Sequence, residues 1–381
     1  MSRLPRLDQR GIALPIALFA LVIIAALLAG SFYMGRMEQH HGDNVVARAQ
    51  AGEAAEAGLA ETVASWDPAV FNAMANASEI TLSTVTVGGT NTYTPTLRRI
   101  NQSTFLVRSE GRHLSRTGAV ITRQQLGRLV RLTIPDIDMN AAVTTRVGIS
   151  IGGSSEVSGS DSVPPSLAGA CPPPGTPAPG IRDSSGNVNT FGSCSGATCI
   201  TGSPQILTDP TITTGSFNQF GDLNFADLAA MANKTVSGTL NGIGPTVNTG
   251  PPLSCKTTDL RNWGDPTSPT GTCFSYFPII YAAGNLRITG GQGQGILLVG
   301  GDLDISGGFE FYGPVIVLGA VSSTGTGGHI VGGLMAQNAL LNTTVITGNS
   351  AVTFSRCAIS RALQASATAR SLGSRSWSQL Y

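Results

Sequence analysis

An uninterrupted apolar run from Ile12 to Tyr33, set directly behind Arg10-Gly11, constrains this chain more than any other feature. It holds about 22 residues, and at ~1.5 Å rise per residue such a helix covers roughly the 30 Å hydrocarbon core of a bilayer. A secretory signal has a shorter apolar core, about 7 to 15 residues, followed by a small-x-small cleavage site. Neither is evident, so the segment reads as a retained membrane-spanning helix. Arg3, Arg6 and Arg10 precede it against one acid, Asp8. That bias assigns the leader to the cytoplasm and everything after Met34 to the outside.

The helical pattern continues past the membrane. Ala55, Leu59, Val63 and Trp66 follow one another at spacings of four, four and three, an apolar stripe that requires a partner surface. Trp66-Asp67-Pro68 supplies the stop, because a residue before proline is pushed out of the helical region. From Ile12 the helix spans about 54 residues, or roughly 80 Å. Gly30, Gly35, Gly42, Gly52 and Gly58 each cost about 1 kcal/mol relative to alanine and predict bending. His40 and His41 are adjacent, about 100° apart on a helix, which suits a solvated surface and not a metal site.

A basic leader ending in glycine, then Ile12-Ala13-Leu14-Pro15-Ile16 and a helix running beyond the membrane, resembles a class III prepilin leader and pilin helix. Met37-Glu38-Gln39, Arg48-Ala49-Gln50 and Glu53-Ala54-Ala55-Glu56-Ala57-Gly58-Leu59 resemble the PilX-type minor pilin N-terminal family over about residues 9 to 60. The resemblance implies cleavage between Gly11 and Ile12 by a prepilin peptidase, and methylation of Ile12. It also implies an inner-membrane location with the bulk of the chain extracytoplasmic, and partnership with other pilins and with membrane lipid through the helix. Major pilins carry a glutamate five residues after the leader glycine, where this chain has Ile16. A buried acid among lipid tails needs a partner, so Ile16 implies a tip or initiating subunit.

Composition sets the class of the remainder. Charged residues make up 12%, the net charge is +1, glycines number 48 and apolar residues reach 41%, which excludes a disordered chain. No basic block or aromatic-interleaved Lys/Arg stripe is present, so no nucleic-acid partner is expected. Segments 81–87, 92–98, 104–109, 119–125 and 127–132 alternate or carry β-branched residues, with breaks at Gly88-Gly89, Asn101-Gln102 and Glu110-Gly111. They predict an antiparallel meander packed on the helix stripe, a small α+β head.

An internal repeat marks the C-terminal third. Gly284-Asn285-Leu286-Arg287-Ile288-Thr289-Gly290-Gly291 returns as Gly301-Asp302-Leu303-Asp304-Ile305-Ser306-Gly307-Gly308, and Ile296–Val299 is matched by Val315–Leu318. A period near 18 with glycine corners predicts coils of a right-handed parallel β-helix-like solenoid. Leucine and isoleucine face inward while Arg287, Asp302 and Asp304 face out. Val147–Gly159 has the same character and reads as the opening coil. The pattern over about residues 276 to 381, from Tyr276-Phe277-Pro278 through G-D-L-x-I-S-G-G to Trp377–Tyr381, resembles the C-terminal domain of large PilX-type proteins.

The expected organisation is a leader at 1–11 and a long helix at 12–66 that spans the membrane over 12–34. A small antiparallel head follows at 67–140 and a first coil at 141–160. A loop-rich, Pro/Gly/Cys-rich insertion occupies 161–277, further coils 278–360 and a tail 361–381. The six cysteines, Cys171, Cys194, Cys199, Cys255, Cys273 and Cys357, suit disulfides in an oxidising compartment, with fifteen pairings open. Cys255 with Cys273 closes a loop of about 19 residues, worth ~3 kcal/mol on the chain-entropy model. Cys194 with Cys199, or either with Cys171, is the next choice. Cys194-x4-Cys199 is a poor zinc spacing. Nothing in the sequence calls for a cofactor.

The leading functional expectation is a structural minor pilin or pseudopilin-like subunit of a type IV pilus or type II secretion-like filament. The alternative is a membrane-anchored surface adhesin or carbohydrate-binding β-helix protein, with Phe191, Phe217, Phe220, Trp263, Phe274 and Tyr276 as stacking surfaces. A β-helix polysaccharide-degrading enzyme would use Asp302, Asp304 or Glu310, but a catalytic pair needs separated pKa values and two aspartates flanking one strand leucine suit solvated edge groups.

Overall fold

The computed structural model describes residues 13–221, 223–337, 344–372 and 377–380. Two compact units emerge, one of Met1–Ser65, Ala77–Val130 and Ser371–Tyr381, the other of Trp66–Asn76 and Arg131–Arg370.

In the first unit a single helix, Ala13–Ala64, runs 52 residues. Its C-terminal half buries Ala47, Ala51, Ala54, Ala55, Leu59 and Thr62, a face of small side chains that brings the backbone close to a sheet. The sheet orders Glu79–Thr81, Asn91–Arg99, Thr104–Leu114 and Val120–Thr133 side by side, with Val85–Val87 folded back on Asn91–Arg99. Leu97, Phe105, Val107 and Val130 form its buried side. Glu110-Gly111, expected as a turn, lies inside Thr104–Leu114. A Cβ on Gly111 would stand 2.0 Å from the Ala51 carbonyl oxygen, so this glycine serves helix–strand approach; the turn comes later, where Ser115 N–H donates to Ala119 O. Segments 119–125 and 127–132 form one strand. Trp377–Leu380, expected in a tail, pairs antiparallel with residues 125–128 of that strand, so the 131–370 part of the second unit lies in sequence between two strands of the first unit's sheet.

The second unit is built from parallel coils. On its first face Lys234–Leu240, Ile279–Thr289, Ile296–Val299, Phe309–Val317, Gly328–Ala336, Val143–Thr145, Ile181–Asp183 and Ile206–Thr208 stack in that spatial order. A second face carries Ile279–Thr289, Leu303–Ser306, Val321–Ser323, Thr344–Ile346, Ile149–Ile151 and Val188–Thr190. A third runs from Gln292–Gln294 through Phe309–Val317, Gly328–Ala336, Ala351–Phe354 and Glu156–Ser158 to Ile200–Thr201. Leu286 pairs with Leu303, 17 residues on, and Leu303 with Val321, 18 on. Leu286, Ile288, Leu303 and Ile305 are buried. On the first face Leu297, not Ile296, pairs with Val315, one residue off the repeat alignment; both strands are apolar at every position there, so periodicity does not fix their register.

Two expectations about this unit are corrected. The coil at 143–158 is not at an end of the stack but inside it, sixth of eight strands on the first face, between the coil of Gly328–Ala336, Thr344–Ile346 and Ala351–Phe354 and that of Ile181–Asp183, Val188–Thr190 and Ile200–Thr201. Residues 161–277 are not one insertion, because Ile181–Asp183, Val188–Thr190, Ile200–Thr201, Ile206–Thr208 and Lys234–Leu240 are all coil strands. The spatial order is a cyclic permutation of the sequence order, with residues 209–233 returning from the last coil to the first. At about 4.8 Å per strand the seven steps of the first face measure roughly 34 Å, well within the reach of 25 extended residues. That connector carries buried Phe217, Phe220, Leu223, Phe225 and Leu228, and the Phe225 ring meets Tyr281 edge-on at 6.2 Å. Tyr281 shares an outward row with Leu298, Ile316 and Met335, all three buried. The connector therefore covers the outer side of Ile279–Thr289 at Tyr281.

Helix Arg356–Ala365, expected as part of the last coil and the tail, is capped by Ser355 Oγ, which accepts from Ala358 N–H at 3.2 Å. Its other end is held by Asn72, whose Nδ2 donates to the carbonyls of Gln364, Ala365 and Ala367.

Candidate functional site

The surface that stands out is the N-terminal half of Ala13–Ala64. From Leu14 to Val46 every residue is exposed, including Leu14 at 75% and Phe32 at 76%. The mean hydropathy of its most apolar 18-residue window is 2.5, and none of that window is buried. Among the described residues this is the one helix long and apolar enough to cross a membrane, a test that a signal sequence near the N-terminus also passes. Ile16 lies on this surface, 61% exposed. An apolar surface of this length has no stable place in water and calls for lipid or other apolar helices. Gly11 and Ile12, the expected processing residues, lie outside the described residues.

Burial switches on at Ala47, where the helix meets its sheet, and small side chains allow the close approach there. Gly58 sits where a Cβ would come within 2.3 Å of Ser109 Oγ and 2.7 Å of the Tyr93 ring. Burial, with Glu61 second, pushes the Tyr93 hydroxyl pKa up. Gly30, Gly35, Gly42 and Gly52 face open space, so the Ala-Gly-rich sequence is used for close packing only in the helix's second half. Val63 is half-buried and Trp66 lies beyond the helix, where its Nε1 donates to Asn72 Oδ1 at 2.9 Å. Ala47, Ala51 and Ala54 share the buried face and are absent from the expected stripe because alanine carries little hydrophobic signal.

The cysteines form three pairs: Cys171–Cys357, Cys194–Cys199 and Cys255–Cys273, with Cα separations of 5.7, 5.0 and 4.9 Å. Around the last, fully buried Asn262 donates through Nδ2 to the Thr246 and Lys256 carbonyls at 2.9 and 3.0 Å. Lys234, 1% exposed, ends the first face beside this lobe. Its ammonium donates to the carbonyls of Thr257 and Asp259 and stands 5.7 Å from the Tyr276 ring centroid. Burial lowers the Lys234 pKa, with Asp259 opposing, and pushes Tyr276 up to about 12.

The acids weighed for catalysis have structural occupations. Asn285 Oδ1 accepts from Asp302 N–H at 2.9 Å, and Asp302 Oδ1 accepts from Ala320 N–H at 2.8 Å. Each coil's Asn or Asp thus caps the corner of the next, and the glycine before it makes room, since a Cβ on Gly301 or Gly319 would stand 2.3 Å from the capping oxygen. Asp304 faces Arg287 one coil away, Oδ2 to Nε 3.5 Å. Glu310 pairs in register with Gln292 and His329 on the third face. Of the aromatics weighed for stacking, Phe217, Phe220 and Trp263 are buried, Phe274 and Tyr276 half-buried, and Phe191 is exposed. Among the described residues no three His, Cys, Asp or Glu side chains are grouped to hold a metal.

No family model matches the sequence, and no curated protein matches it. Among solved structures, the competence-associated pilin ComZ from Thermus thermophilus aligns over 88% of this chain and 98% of that chain, at 11% identity and a TM-score of 0.27. A score and identity of that size establish no common fold.

Proposed function

We propose that this protein is a non-catalytic, membrane-inserted minor pilin or pseudopilin-like subunit that acts in filament assembly or at the filament tip. The observation that carries this reading is the division of one continuous helix: exposed from Leu14 to Val46 and apolar as far as Met34, then packed on its own sheet from Ala47. A helix of that kind is held at one end by its head and offers the other to lipid before assembly and to neighbouring pilin helices after it. The leader is removed by a prepilin peptidase between Gly11 and Ile12, and Ile12 is methylated. The chain sits in the bacterial inner membrane with its bulk outside, an oxidising location that suits three disulfides. The coils wind right-handedly, the hand that parallel crossovers take in nearly all cases. Ile16 and the large coil-bearing unit favour a terminal position over repeated incorporation along a shaft.

Intact-mass and N-terminal analysis of membrane-extracted protein, with and without active prepilin peptidase, tests the reading. A mature chain that begins at Ile12 only when the peptidase is active supports it. A chain that retains residues 1–11 in both cases overturns it and leaves a plain membrane anchor.

A further inference from the structure

The coil formed by Val143–Thr145, Ile149–Ile151 and Glu156–Ser158 is the first that the chain makes, yet one of its two neighbours is the last. Leu334 pairs with Val143, Thr344 with Ile149 and Ala351 with Glu156. Leu334 N–H donates to Ala142 O at 2.9 Å, Gly152 N–H to Ile346 O at 3.0 Å and Glu156 N–H to Ser350 O at 2.8 Å. This seam joins residues about 190 positions apart, whereas the next coil contact, Val143 with Ile181, spans 38. The Asp161 carboxylate crosses it, accepting from Arg356 N–H at 2.9 Å and Gly175 N–H at 2.7 Å. So does the Cys171–Cys357 disulfide, at a sequence separation of 186. The other two bridges, at separations of 5 and 18, are local.

We infer that the seam between the 334–354 coil and the 143–158 coil is a joint locked by oxidation of Cys171 and Cys357, through thiol–disulfide exchange with an oxidised dithiol partner. Until Gly328–Ala336, Thr344–Ile346 and Ala351–Phe354 are in place, the 143–208 coils lack their inner neighbour, so the bridge closes on a completed seam. The two cysteines differ in access. Cys171 is half-buried in a loop flanked by exposed Gly169, Ala170 and Pro172. Cys357 is 4% exposed and lies in the first turn of Arg356–Ala365, where the helix N-terminus favours a thiolate. In the exchange the Cys171 thiolate attacks one sulfur of the partner's disulfide and releases the other as a thiol. The Cys357 thiolate then attacks the Cys171 sulfur of the mixed disulfide and releases the partner's second thiol. Two protein thiols lose two electrons and two protons, and the partner's disulfide gains them.

Hydrogen exchange read by mass spectrometry on the full chain in detergent tests the joint. In a Cys171→Ser/Cys357→Ser variant, amides of 143–158, 328–337 and 344–354 are expected to exchange roughly tenfold faster or more, while coils over 279–323 keep their protection. A Cys194→Ser/Cys199→Ser variant should leave the seam unchanged. Unchanged exchange at the seam, or an equal rise along the whole stack, overturns the inference. If the double variant does not accumulate, graded reduction of the purified native protein reads the same amides against the same outcomes. Oxidised glutathione probes the order of attack. Cys357→Ser should retain glutathione on Cys171, and Cys171→Ser should remain unmodified under the same conditions. The reverse pattern overturns the assigned roles.

Discussion

Asn285 and Asp302 perform one task with different chemistries: each offers a side-chain oxygen to a backbone N–H of the following coil. The acidity of Asp302 is therefore incidental, and Asp302→Asn should leave the unfolding midpoint nearly unchanged. Asp302→Ala leaves the Ala320 N–H without its acceptor and should cost about 1 to 2 kcal/mol in denaturant unfolding. The G-N-L and G-D-L units were visible in the sequence as a repeat, and so was the inward set of Leu286, Ile288, Leu303 and Ile305. The reason for the polar residue was not, because its partner lies a coil away. Tyr276 gives a pH test. Its folded pKa of about 12 stands above the ordinary 10.0 because burial disfavours the phenolate, so its contribution to stability is complete below pH 10 and is lost as pH rises towards 12. Burial also raises Tyr93 and Tyr312, so ultraviolet titration of tyrosinate should show several late-ionising groups in the native protein, of which Tyr276→Phe removes the one titrating near pH 12.

The helix and its sheet explain each other through small residues. A side chain at Gly111 has no room against the Ala51 carbonyl, and one at Gly58 meets Ser109 and Tyr93, whereas Gly52 faces open space. Gly111→Val should destabilise the head by about 1 to 3 kcal/mol through overpacking. Gly52→Ala should stabilise it by up to ~1 kcal/mol through helix propensity. Thermal unfolding of both variants separates these signs. The helix's existence and its apolar start were legible from residue order. The buried face was legible only at Ala55 and Leu59, since close packing depends on what side chains lack. The strand through Gly111 was misread for the same cause: glycine marks a turn and a tight contact with the same letter.

For the molecule as a whole, every residue from Leu14 to Val46 lies outside the buried core. A chain beginning at residue 35 should therefore unfold within a few degrees of the full-length protein and no longer partition into detergent. A large drop in midpoint would show that the apolar half stabilises the head. Repeat spacing revealed coils near Leu286 and Leu303, but it did not reveal that 143–158 lies beside 334–354, because no local pattern records a contact across about 190 residues. Cys357 was left without an assigned partner for that same reason. The cyclic order has a further effect. Entry residues Ile137 and Met139 line one groove with Phe354, Ile359 and Leu363 of the exit, so the stack is entered and left side by side, between the fifth and sixth strands of its first face. A stack wound from one end would part its entry and exit by its full height, roughly 34 Å at strand spacing. Because residues 209–233 run from one tip to the other, each rung added at either tip would lengthen the span they must cross by about 4.8 Å, so coil number and connector length are coupled.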